Sequence, residues 1–224
     1  MSNAVKKRDG MGKKTLLEQE SLDKIFVRHG FYVSRETVEQ LGVYQNLLMK
    51  WQKAINLVGP ATLDAVAERH FFDSAQLFRY MPDVDVRLVD MGSGAGFPGL
   101  VLAMLGVREV HLIESDVRKA TFLREVSRET KTVVTVHDMR VEECDIPEAD
   151  VFTARALAPL KDLLAYMDFL STPGHTAYGL FMKGMQAQEE IDKAAKTWSF
   201  EVETYPSMTD LAGKIIKISN LNKR

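Results

Sequence analysis

A glycine-rich segment, Val89-Asp90-Met91-Gly92-Ser93-Gly94-Ala95-Gly96-Phe97-Pro98-Gly99, connects a short β-like run to an apolar helical stretch. Glycines let the backbone turn tightly and approach a ligand closely, and the entry of the following helix presents unpaired N–H groups. By chemistry and position this is a cofactor loop. Glu114 closes the next β-like run, where an acidic side chain can accept hydrogen bonds from both hydroxyls of a ribose. The cofactor therefore contains a nucleoside. Gly94-Ala95-Gly96-Phe97-Pro98-Gly99 also satisfies the dinucleotide fingerprint, which makes NAD the alternative. Two residues argue against it. Asp90, at the strand end, would repel a pyrophosphate but suits the ammonium of a methionine moiety, and Pro98 removes an N–H from the helix entry.

The runs around this loop define the architecture. Arg87–Asp90, Val110–Ile113, Thr132–Val136 and Val151–Ala154 alternate with helical stretches, as expected for right-handed crossovers in a parallel sheet. Further strands are expected at Ala177–Met182, Ser199–Thr204 and Lys214–Ser219, the last two forming an antiparallel hairpin because their connection is too short for a parallel crossover. Ahead of the sheet, apolar residues recur at helical spacing, as in Val38, Leu41, Tyr44, Leu48 and Trp51. The expected organisation is a basic leader at residues 1–14, a helical extension at 15–81 and a cofactor-binding domain at 82–224.

Composition narrows the partners. With 29 Lys and Arg against 31 Asp and Glu, no overall positive field favours nucleic acid, so RNA contact would rely on local groups such as Lys119 and Arg124. Cys144 is the only cysteine, which excludes an intrachain disulfide and multi-cysteine metal sites and suits a reducing, cytoplasmic setting. The longest apolar stretch is interrupted by Pro98, Gly99 and Gly106 and is too short to span a bilayer. No metal, membrane or DNA partner is expected.

Several motifs taken together resemble the RsmG (GidB) family of bacterial small-subunit rRNA guanine-N7 methyltransferases. They are Asn56-Leu57, Arg69-His70-Phe71-Phe72-Asp73-Ser74, the glycine loop, Lys119 with Phe122-Leu123-Arg124, Arg155-Ala156-Leu157-Ala158 and Lys183-Gly184. The resemblance covers nearly all of the chain after the leader. It implies a Rossmann-like class I methyltransferase fold: a seven-stranded, mostly parallel sheet with an antiparallel C-terminal hairpin and an N-terminal helical extension. It also implies S-adenosylmethionine as cofactor, methyl transfer to a guanine of 16S rRNA, and cofactor contacts at Gly92, Phe97, Val141, Glu142 and Arg155. Val58 and Glu114 depart from the family's usual Thr and Asp.

Elimination points the same way. The Asp/Asn-Pro-Pro-aromatic motif used on exocyclic base amines is missing after the fourth strand, where Ala154-Arg155-Ala156-Leu157-Ala158-Pro159 stands. Cys144 lacks the context of a pyrimidine-attacking nucleophile. Guanine N7 has a free lone pair and no proton to lose, so orientation is the main requirement, worth about 7–11 kcal/mol in model systems. The expected cofactor set is Asp90, Gly92, Gly94, Gly96, Phe97, Glu114, Val141, Glu142 and Arg155. Arg155 and Lys183, at the ends of the fourth and fifth strands, are the candidates for orienting the base and contacting RNA, without a general base. Asn56, His70, Lys119 and Arg124 are the RNA-contact candidates, against plainer roles: a helix C-cap for Asn56, and a local hydrogen bond to Asp73 for His70. A monomer acting on small-subunit rRNA or a ribosomal particle is expected. The alternatives are an NAD-dependent oxidoreductase and a non-catalytic RNA-binding module.

Overall fold

A computed structural model describes residues 22–146 and 148–224. The leader expected at 1–14 lies outside the described residues. Seven strands form one sheet: β1 (Arg87–Met91), β2 (Glu109–Ile113), β3 (Thr135–His137), β4 (Val151–Arg155), β5 (Tyr178–Lys183), β6 (Trp198–Pro206) and β7 (Lys214–Lys223). Their order is β3-β2-β1-β4-β5-β7-β6. The first five in that order are parallel, and β7 pairs antiparallel with both β5 and β6, which gives the expected C-terminal hairpin.

The strands nearest the centre are recognisable as apolar runs because they are covered on both faces. Leu88, Val89, Asp90 and Met91 of β1 are all buried. On one face pack α1 (Arg35–Trp51), α2 (Gly99–Met104) and α3 (Val117–Thr130), and on the other α4 (Leu160–Leu170) and α5 (Ala187–Ala194). The helix α1 starts where Ser34 accepts from the Thr37 N–H at 3.0 Å and buries Val38, Leu41, Tyr44 and Leu48. Its C-cap is Gln52, whose side chain accepts the N–H groups of Leu57 and Val58, so Asn56 sits in a tied loop and is not the helix cap. Short helical turns from Pro60 to Tyr80 then carry Phe71, Phe72 and Leu77 into the apolar cluster shared with Leu88, Leu100 and Phe122.

The third strand is shorter and later than the run Thr132–Val136 suggests. The helix α3 closes with Lys131 in the left-handed region at φ 56°, and the Thr132 N–H bonds back to the Ser127 carbonyl at 3.0 Å. Capping thus consumes the backbone of Thr132, and pairing with β2 begins at Thr135. From β1 the sheet runs one way to β2 and β3 and the other way to β4 and β5, so the direction of winding reverses between β1 and β4. In open parallel sheets that crevice, at the carboxyl ends of the strands, is where ligands bind.

Candidate active site

Two cavities meet at the crevice. The first, of about 340 Å³, is lined by Gly92 and Gly94 after β1, Glu114 after β2, Val141 and Glu142, and Arg155 at the end of β4. The second, of about 440 Å³, is lined by Arg69, Asp73, Arg155, Lys183 and Asp210 among others. Both touch Arg155, Ala156 and Leu157. Ala156, in the segment that lines both cavities, has φ 55°, a strained conformation for a residue with a Cβ.

Close approach explains the glycine loop. Gly92, Gly94 and Gly96 all have positive φ. A Cβ on Gly92 would lie 2.4 Å from Leu157 Cδ1, so the Leu157 side chain packs directly on the bare backbone of the turn after β1. At Gly99 a Cβ would lie 2.4 Å from Leu112, and its absence lets α2 seat directly on the sheet. The Gly94 N–H bonds to Glu114 Oε2 at 2.8 Å, and Glu114 Oε1 takes the Asp116 N–H at 2.8 Å. Those bonds fix the carboxylate while leaving lone pairs for hydroxyl groups. Open space beside Gly94, fixed acceptors on Glu114 and the apolar wall of Val141 fit a nucleoside-bearing group.

Of the nine residues expected to hold the cofactor, Gly92, Gly94, Glu114, Val141, Glu142 and Arg155 line the first cavity. The remaining three lie beneath it. Asp90 is fully buried, accepting from Thr153 Oγ1 at 2.8 Å and from the Gly99 N–H at 3.2 Å. Burial pushes its carboxyl up to about 6, against the pull of those hydrogen bonds. It braces the loop from below, joining β1, β4 and α2. Gly96 packs under Leu100 and Tyr44. Phe97 is buried, stacked on Tyr44 at 5.3 Å and on His70 at 5.0 Å, with the Arg155 guanidinium 4.8 Å from its centroid.

The cations are less free than their positions along the chain suggest. Arg155 donates to the Arg69 carbonyl at 3.3 Å and to Asp73 Oδ2 at 3.4 Å. Burial lowers its pKa, with Asp73 opposing that shift. Lys183, only 8% exposed, pairs with Glu190 at 2.8 Å and donates to the Ala158 carbonyl. Glu190 in turn accepts the Leu160 N–H at 2.7 Å. Lys183 and Glu190 therefore hold the turn after β4 in place, and the amine is not presented to a phosphate.

Asn56 and Lys119 line one cavity of about 380 Å³ with Lys53 and Arg118. Lys119 also lines the cofactor-sized cavity. Arg124 is exposed and bonded to Asp138 and the Val136 carbonyl. His70 points inward, with Nε2 bonded to Thr62 Oγ1 at 2.8 Å rather than to Asp73. Burial, reinforced by Arg155 and Arg69, lowers its pKa to about 3.

Asp73 is among the pocket residues that the sequence did not single out. Its carboxylate receives Arg155, Gln76 and the Thr209 hydroxyl, joining the helical turns to β4 and to the β6–β7 connection. Burial raises its pKa while the bonds from Thr209 and Arg155 lower it. A signal was present: Arg69 and Asp73, four residues apart, share one helical face. Thr209 and Asp210 carried no such signal.

The model of the family described as rRNA small subunit methyltransferase G (GidB) matches residues 37–218. A curated Ribosomal RNA small subunit methyltransferase G from Rhodospirillum centenum is 53% identical over 194 residues, covering 87% of this chain and 89% of that protein. Another, from Paramagnetospirillum magneticum, is 50% identical, covering 85% and 92%. Among solved structures, a TehB-like SAM-dependent methyltransferase from Corynebacterium glutamicum superposes with a TM-score of 0.54 at 14% identity, over 81% of this chain and 98% of that one, which shows the shared class I methyltransferase fold. With a family model spanning most of its length and relatives of this identity, the chain belongs to the rRNA small subunit methyltransferase G family.

Proposed function

We propose that the protein transfers a methyl group from S-adenosylmethionine to N7 of a guanine in 16S rRNA, acting as a monomer on the small-subunit RNA or a particle containing it. The observation that carries this reading is a nucleoside-sized cleft that shares the wall Arg155-Ala156-Leu157 with a second pocket. Asp73 is held by Arg155 and Thr209, Lys183 by Glu190, and His70 faces Phe97. Guanine N7 has a free lone pair and no proton to lose, so transfer to it calls for orientation and not for a general base.

S-adenosylmethionine, when bound, supplies an activated methyl group. Gly92, Gly94 and Glu114 would hold its nucleoside and Val141 and Glu142 would border it, while Asp90 and Phe97 act from below as braces. Arg155, anchored by Asp73 and the Phe97 ring, stands between the two cavities and orients what enters from either side. Asn56, Lys119 and Arg118 border the neighbouring cavity and supply phosphate contacts for the strand. The family assignment leaves the NAD reading of the glycine loop without support.

The test is incubation of undermethylated small subunits with the protein and isotopically labelled S-adenosylmethionine, followed by nuclease digestion and mass spectrometry. One new 7-methylguanosine is the expected product. Label on a different atom or base, or cofactor binding with no transfer, would overturn the proposal.

A further inference from the structure

Three carboxylates line the second cavity: Asp73, Glu190 and Asp210. Two are committed to the protein's own groups. Asp73 Oδ1 receives Thr209 and Gln76, and its Oδ2 receives Arg155. Glu190 Oε2 receives the Leu160 N–H and the Lys183 amine. Asp210 is different. It stands in the turn between β6 and β7, its side chain 45% exposed, with Oδ1 accepting the Ala212 N–H at 3.0 Å. The other oxygen, Oδ2, forms a half-exposed ion pair with Arg69 at 3.7 Å, too long for a hydrogen bond, so it keeps its lone pairs for a donor from the pocket.

We infer that Asp210 is the residue that selects guanine, its carboxylate accepting hydrogen bonds from the N1–H and N2–H groups of the acceptor base. The inference rests on the proposed transfer to guanine N7. N1 and N2 lie on the edge of guanine away from N7, so a base held there keeps N7 free. Adenine offers a lone pair at N1 where guanine has a proton, and that lone pair faces a carboxylate with repulsion. Methylation at N7 makes the base cationic and its N1–H a stronger donor. The contact to Asp210 therefore strengthens as the reaction proceeds, the property that accelerates a step rather than merely binding its substrate.

The experiment uses small subunits reconstituted with rRNA carrying either guanine or inosine at the nucleotide that the wild-type protein methylates. Inosine lacks only the N2 amino group. The wild-type kcat/KM is expected to be about 10- to 100-fold lower on inosine, the loss of one hydrogen bond to a charged group. In Asp210→Ala the two bases should react at nearly equal, reduced rates. Asp210→Asn keeps the oxygen that accepts the Ala212 N–H, so it preserves the turn and should also lose most of the preference. Unchanged titration with S-adenosylhomocysteine checks that each variant is folded. A wild-type guanine-to-inosine ratio in Asp210→Asn would overturn the inference while leaving the transfer reading intact. Failure of the wild-type protein to methylate any guanine overturns both.

Discussion

At the scale of single residues, two buried groups set opposite responses to acid. His70, lowered to about 3, stays neutral in the native protein while the unfolded imidazole protonates below about 6.5. Its contribution to stability is lost as pH falls through that window, by up to about 1.4 kcal/mol per pH unit. Asp90 has the opposite sign. Its native carboxyl, pushed up to about 6, holds a proton that the unfolded side chain releases near 3.9, so stability falls as pH rises between those values. Between about pH 4 and 6 the two offset each other. Replacing His70 by Gln should tilt the stability curve relative to wild type by about 1.4 kcal/mol per pH unit across that range. Urea denaturation at pH 4, 5 and 6 measures this, and parallel curves would show that native His70 titrates normally. Gly92→Ala tests the loop. With φ 65° and Leu157 against the added methyl, it should cost about 1–2 kcal/mol and weaken S-adenosylhomocysteine binding in calorimetry.

At the scale of elements, the site depends on how strand ends are tied to helices. Lys183 at the end of β5 and Glu190 on α5 grip the turn between β4 and α4 through the Ala158 carbonyl and the Leu160 N–H. Lys183→Met would leave Glu190 without its cation in a largely enclosed place, at a cost of about 3 kcal/mol. A phosphate-binding lysine would behave differently: stability would be nearly unchanged and the salt dependence of RNA binding would weaken. Thermal denaturation together with RNA titration at two salt concentrations separates the outcomes. Position along the chain after a strand identified Lys183 as a site residue. It did not reveal Glu190, which takes up the charge, because that partner comes from the next helix.

At the scale of the whole molecule, the helical segments before β1 and one face of the sheet share a single apolar cluster. Leu41, Leu48, Phe71 and Phe72 are fully buried, each contributing about 1.5–3 kcal/mol. Their sum is comparable with the net stability of a typical domain, about 5–15 kcal/mol. A fragment comprising residues 82–224 should therefore lack a cooperative thermal transition by calorimetry. A sharp, two-state melt of that fragment would mean that the sheet is stable without the preceding helices. The same helices reach the site directly, because Tyr44 donates to the Ala95 carbonyl inside the glycine loop and Asp73 anchors Arg155. Among the described residues no helix is long and apolar enough to cross a membrane.

Local chemistry determined what the sequence could show by itself. Apolar runs at Arg87–Asp90 and Val151–Ala154, the glycine spacing and Glu114 each report a backbone requirement or a strand end within a few residues, so the parallel sheet, its hairpin and the cofactor cleft were legible. The direction in which a side chain points is not local. Asp90 and Phe97 belong to the right loop yet face inward, and His70 turns from Asp73 to Thr62, because each is placed by packing against elements distant in the chain. Tertiary structure alone brought Asp73, Arg155 and Asp210 to one pocket, from a helical turn, a strand end and a hairpin turn. Charges in such a pocket are defined by partners that the fold supplies, and their pairing decides which carboxylate is left to meet a base.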